Sequence, residues 1–230
     1  MSIADHIAAV REKIAEEAIR AGRSPEEIAL MAVTKTRSVP EILAAKECGI
    51  SLMGENKAQE ITEKYPYLKD QMEIHFIGHL QTNKINAVID KADMIESLDS
   101  LHLAQALEKK AAERGRTVDV LMQINTGKEE QKTGFFFEQA EEAVRLISEY
   151  SHLRLRGFMA VAPRDFGKKT ETERIFAKMF DLFIDIKEKM TDNRYIDLLS
   201  MGMSHDYDLA VRHGANIVRV GSAIFGERNY

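Results

Sequence analysis

The chain has a single cysteine, Cys48, no tryptophan, four prolines and no linker-like stretch rich in serine and proline. One thiol cannot close an internal disulfide, which points to a reducing compartment, and without a Cys/His cluster at zinc-ligand spacing a structural metal is not expected. No apolar run approaches the roughly 20 residues that cross a bilayer, and the start of the chain carries Asp5 where a secretory leader is basic and then apolar. The expectation is a soluble, cytoplasmic protein with no membrane partner. A basic excess is missing too. The 32 Lys+Arg and 37 Asp+Glu leave a net charge of -5, with both signs mixed along the sequence, so nucleic acid is not an expected partner. With no low-complexity tract or break in composition, residues 1–230 read as one domain.

What the sequence does contain is a series of strand-length apolar runs separated by helical patterns, at residues 28–35, 50–56, 73–79, 94–100, 119–126, 153–161, 196–204 and 216–226. Leu30-Met31-Ala32-Val33 and Ile217-Val218-Arg219-Val220 are near-continuous instead of alternating, as suits parallel strands covered on both faces. Between the runs, Ser38 and Glu41 form a capping-box pair and Gly49 marks the end of the same helix. Ala140, Val144, Ile147 and Tyr150 repeat at helical spacing, as do Ile175, Met179, Leu182, Ile186 and Met190. Ile3, Ile7, Val10 and Ile14 share one face of an extra N-terminal helix that Gly22 stops. Eight strands alternating with helices predict an α/β chain folded as a (β/α)8 TIM-type barrel, the alternative being an open doubly wound sheet.

In such barrels the chemistry sits at the C-terminal ends of the strands. Those ends read Val33-Thr34-Lys35, Gly54-Glu55-Asn56, Ile77-Gly78-His79, Gly202-Met203-Ser204 and Arg219-Val220-Gly221-Ser222, so Lys35, Asn56, His79, Ser204 and Arg219 are predicted to share one mouth. A lysine ending a buried strand has its charged form disfavoured, which leaves the neutral amine needed to attack a carbonyl and form a Schiff base. Gly221 permits close backbone approach, Ser222 begins a turn whose N–H groups suit an anion, and Ser204 adds a hydroxyl. Alternation along the last strand puts Ile217, Arg219 and Gly221 on one face, with Arg219 inside the mouth. An amine facing a phosphate cradle is the arrangement that pyridoxal 5′-phosphate (PLP) requires. His75 reads as core and His79 as a residue lining the pocket, neither as a metal ligand. Cys48, Phe135-Phe136-Phe137 and most of the eleven methionines read as packing.

Ala32-Val33-Thr34-Lys35, Gly54-Glu55-Asn56, the run from His75 to Lys84, Ser200-Met201-Gly202-Met203-Ser204 and the run from Val218 to Gly226 resemble the pyridoxal phosphate homeostasis protein family. The likeness spans nearly the whole chain, and that family is similar to the barrel domain of alanine racemase without its second domain. The resemblance implies a Schiff base on Lys35, phosphate contacts from Ser204 and from the backbone at Gly221 and Ser222, a pyridine-nitrogen contact from Arg219, and Asn56 near the ring. Two functions then compete. One is non-catalytic storage, buffering or delivery of PLP, with PLP-dependent apoenzymes as recipients; the other is a PLP-dependent amino-acid racemase. Racemisation needs an acid/base group on each face of the reacting carbon, and Lys35 supplies one. No second domain is expected to bring the other, so the carrier reading is favoured. A metal-dependent or phosphosugar barrel enzyme is disfavoured because no Asp/Glu/His ligand set clusters at the strand ends.

Overall fold

The computed structural model describes residues 2–127, 133–163, 169–189 and 195–227. In chain order the elements are α1 (Ile3–Arg20), β1 (Ala29–Val33), α2 (Val39–Glu47), β2 (Leu52–Glu55), α3 (Ala58–Leu68), β3 (Glu73–Phe76), α4 (Ile85–Val88), β4 (Met94–Leu98), α5 (Leu101–Ala112), β5 (Val118–Ile124), α6 (Ala140–Ser148), β6 (Leu153–Ala160), α7 (Lys169–Lys189), β7 (Leu198–Ser200), α8 (Tyr207–Arg212), β8 (Ile217–Val220) and α9 (Ser222–Phe225). All strands run parallel in sequence order, and β8 pairs with β1 from Ala29 opposite Ile217 to Ala32 opposite Val220. That ladder closes the barrel and excludes the open sheet. No helix among the described residues is long and apolar enough to cross a membrane.

Alternation along each strand sorts its side chains into two layers. Met31, Leu52 and Ile217 pack inside the barrel with Ile77 and Leu198, and Met94, Leu121 and Met159 form a second apolar cluster inside it. Ala32, Met53, Phe76, Ile95, Phe158 and Val218 point outward, into the layer they share with Ile42, Ile61, Leu107, Val144, Phe176 and Met179 of the helices. Burial on both faces is why these strands read as unbroken apolar runs. Two helix starts are satisfied by their own side chains. Ser2 Oγ accepts the Asp5 N–H while the Asp5 carboxylate accepts the Ser2 N–H, and at α2 the Glu41 carboxylate accepts both the N–H and the hydroxyl of Ser38. Helix α1 covers the closing seam, packing on α8 and α9, with the His6 ring bonded to the Ile224 carbonyl oxygen at 2.9 Å. Its buried Glu17 pairs with Arg212 of α8, which holds the Glu17 carboxyl down to about 2.

Two sequence expectations shift in detail. The final run, 216–226, holds only the four residues of β8, because the backbone leaves the extended conformation at Gly221 (φ −116°, ψ −77°) and continues as the short helix α9. Tyr150 lies beyond the end of α6, and Met190 falls outside the described residues. At the N-terminal mouth, Asp119 accepts from Arg154 at 2.6 and 2.8 Å and from Arg156 at 2.9 Å, and Arg156 also pairs with Asp197. Charge pairing thus covers one end of the barrel.

Candidate functional site at the C-terminal mouth

At the opposite mouth a cavity of about 140 Å³ brings together Lys35, Asn56, Ser204, Arg219, Gly221 and Ser222, with Val33, Ile77, Val161 and Met203 as its apolar wall and the exposed His205 beside Ser204. Lys35 follows Met31 and Val33 on the inward side of β1 and is half-buried. Asn56 continues the inward side of β2; its N–H donates to Glu55 Oε1 at 2.8 Å, while its Oδ1 is buried with no hydrogen-bond partner among the described residues. Buried polar atoms are rarely left unpaired, so Asn56 presents an acceptor that a ligand donor can satisfy.

His79 does not join this group. Strand β3 stops at Phe76, Ile77 takes the place in the cavity wall, and Gly78 packs so closely on the neighbouring chain that an added Cβ would lie 2.0 Å from the Asn56 carbonyl oxygen. The chain swings outward there. His79 is exposed, bonds Asp99 through Nδ1 at 2.7 Å, and lines an adjoining groove of about 610 Å³ with Asn56, Lys57 and Lys84. Ser204 stands where expected but with a second task. Its Oγ accepts the N–H groups of Gly221 and Ala223 at 3.1 and 3.4 Å, tying the loop after β7 to the turn after β8 and leaving the hydroxyl hydrogen to donate.

Arg219 lies inside the mouth, as alternation predicts, and is 3% exposed. Nη1 donates to Ser200 Oγ and Nη2 to the Ala160 carbonyl oxygen, both at 2.6 Å. Burial draws the guanidinium below its ordinary pKa, opposed by the charges of Glu96 and Asp206. From Ser200 the chain of bonds continues down the barrel interior. The Ser200 hydroxyl donates to Glu96 Oε2 at 2.6 Å, His75 Nδ1 meets Glu96 Oε1 at 2.7 Å, and His75 Nε2 meets Glu73 Oε1 at 2.9 Å. Both ring nitrogens of His75 face carboxylates, so both donate and the ring is an imidazolium. Burial alone would lower its pKa, yet the bonds to Glu73 and Glu96 raise it to about 9. Glu96 is likewise held below the usual carboxylate range against its own burial, by His75 and Arg219. His75 is therefore core, as expected, but as an ion and not as an apolar filler.

Sequence reasoning missed Glu96 and Ser200. The signal was a charged residue inside an apolar run, Met94-Ile95-Glu96-Ser97-Leu98, which is costly unless partnered. It also missed a second cluster outside the barrel wall, Glu55, Glu60 and Lys64, whose bonds reach the backbone on both sides of Lys35.

Comparison with known proteins agrees with this architecture. The sequence model of the alanine racemase N-terminal domain matches residues 6–229. The pyridoxal phosphate homeostasis protein of Haemophilus influenzae is 38% identical over 234 residues, covering 100% of this chain and 98% of that protein. Its counterpart in Escherichia coli (strain K12) is also 38% identical over 234 residues, covering 99% and 97%. Among solved structures, PipY of Synechococcus elongatus with PLP bound superposes with a TM-score of 0.84 at 30% identity, covering 98% of this chain and 100% of that one. Alanine racemase from Corynebacterium glutamicum shares the fold alone, with a TM-score of 0.70 at 16% identity over 98% of this chain and 62% of that one. On a barrel with this mouth and matches of this length, the chain belongs to the pyridoxal phosphate homeostasis protein family, within the alanine racemase N-terminal domain fold.

Proposed function

We propose that this protein binds PLP through a Schiff base on Lys35 and serves cytoplasmic PLP homeostasis, as a store, buffer or donor to PLP-dependent apoenzymes, without turning over amino acids itself. The observation that carries this reading is the cavity in which Lys35, the buried unpartnered Asn56 Oδ1, Arg219 and the Gly221–Ser222 turn face one another. PLP, when bound, supplies an aldehyde for an amine and a ring able to act as an electron sink. The residues present fit it. Lys35 offers the amine from the inward side of β1, and Asn56 offers an acceptor. Ser204 offers its hydroxyl hydrogen and the turn at Ser222 its backbone to an anion, with the space beside Gly221 left open by the missing side chain.

Arg219 argues against catalysis. Two of its N–H groups are committed to Ser200 and Ala160, and those left can only donate. A carboxylate facing a pyridine nitrogen holds a proton there and strengthens the sink; a guanidinium disfavours that proton. Among the described residues that line the cavity there is no carboxylate. The test is an absorbance spectrum of the purified protein with PLP before and after borohydride, together with turnover assays on amino acids. A shifted band that borohydride abolishes, with no turnover above the free cofactor, is expected. A spectrum matching free PLP would overturn the binding, and turnover that vanishes in Lys35→Ala protein would overturn the non-catalytic role.

A further inference from the structure

Lys35 sits between two threonines whose backbones are held by side chains from elsewhere. Thr36 has φ +64°, the left-handed region that a β-branched residue seldom enters, and it is the non-glycine residue with positive φ among the described residues. Its N–H donates to Glu60 Oε2 at 2.7 Å. On the other side the Thr34 carbonyl oxygen accepts from Lys64 Nζ at 2.8 Å, and Thr34 Oγ1 donates to Glu55 Oε2 at 3.0 Å. The Lys64 ammonium has three N–H bonds to give and gives all three: to Thr34, to Glu55 Oε2 at 2.7 Å and to Glu60 Oε2 at 2.8 Å. Glu55 uses its second oxygen for the Asn56 N–H, so the same cluster also fixes the second cavity residue. Glu55 is 0% and Lys64 7% exposed.

A buried ion pair is a weak source of net stability, because desolvation cancels much of its Coulomb gain. This one stands behind a turn whose backbone conformation is unfavourable by itself, and its bonds end on the residues flanking Lys35 and on Asn56. We infer that Lys64, with Glu55 and Glu60, is a positioning cluster that clamps the chain on both sides of Lys35 and sets how its amine enters the cavity. Glu55 and Lys64 face the helix layer, away from the cavity, so the cluster acts through the backbone and touches no ligand.

The inference rests on the PLP reading, and its test separates the two. Lys64→Met and Glu60→Ala proteins are compared with the unaltered chain in three measurements: the rate at which PLP becomes fixable to Lys35 by borohydride, the affinity for pyridoxine 5′-phosphate, which has no aldehyde, and hydrogen exchange at the Thr36 amide without any cofactor. Fixation is expected to slow by about tenfold or more while pyridoxine 5′-phosphate affinity stays within about twofold, since orientation of the amine and not the rest of the cavity is lost. Thr36 exchange is expected to rise by about tenfold or more. Unchanged fixation in both variants, or equal loss of pyridoxine 5′-phosphate binding, would overturn the positioning role. Should Lys64→Met fail to fold, Glu60→Ala, which leaves the Glu55–Lys64 pair intact, carries the test. If the unaltered chain is never fixed at Lys35, the PLP reading fails, and the Thr36 exchange alone then decides whether the cluster orders the turn.

Discussion

At Gly221 the backbone lies outside the left-handed region, and a Cβ built there would meet Val33 Cβ at 3.4 Å, an ordinary contact. The fold itself does not demand glycine at this place; what a side chain would take is space in the cavity. Gly221→Ala is therefore expected to hold its stability to within about 1 kcal/mol in thermal melts, while PLP titrations show weaker binding, weaker again for Gly221→Val. Equal affinity in all three proteins would show that close approach at this turn is not used. Gly78 is the opposite case. There an added Cβ must displace the Asn56 backbone, so the glycine serves the packing of two strand ends and, indirectly, the outward course of His79.

Strands β3, β4, β7 and β8 each supply one polar residue to the barrel interior, and together these make the line His75, Glu96, Ser200 and Arg219. The line has a measurable pH dependence. His75 has a folded pKa of about 9 against an ordinary value near 6.5, so its stabilisation is complete below about pH 6.5 and is lost as pH rises through 9. Urea unfolding between pH 6.5 and 9.5 is expected to show stability falling with pH, by up to about 3 kcal/mol from this group. His75→Gln should remove that alkaline slope; an unchanged slope in the variant would contradict the ionised His75. The elements themselves were legible because strands buried on both faces carry continuous apolar runs, and because alternation alone turns Arg219 inward beside Ile217. The partners were not. Glu96 and Ser200 lie 104 residues apart, and no local pattern announces that contact. Nor does periodicity foresee that β3 ends before His79, or that Ser204 already engages the Gly221 amide, since both depend on how separate strand ends pack.

Over the whole molecule the two ends of the barrel are built differently. The N-terminal mouth is covered by Asp119, Arg154, Arg156 and Asp197 in mutual ion pairs, with Glu73 below His75, whereas the C-terminal mouth keeps a cavity that gathers Lys35, Asn56, Ser204 and Arg219. One end closes the fold, and the other holds the proposed PLP site, bordered from inside by the line that ends on Arg219 and from outside by the cluster around Lys64. The most direct test of this account is mass mapping of peptides after borohydride reduction of the protein loaded with PLP. The pyridoxyl mass is expected on the peptide that contains Lys35 and is expected to be lost in Lys35→Ala protein; a pyridoxyl group found chiefly on Lys64, Lys84 or another lysine would refute the Schiff base on Lys35.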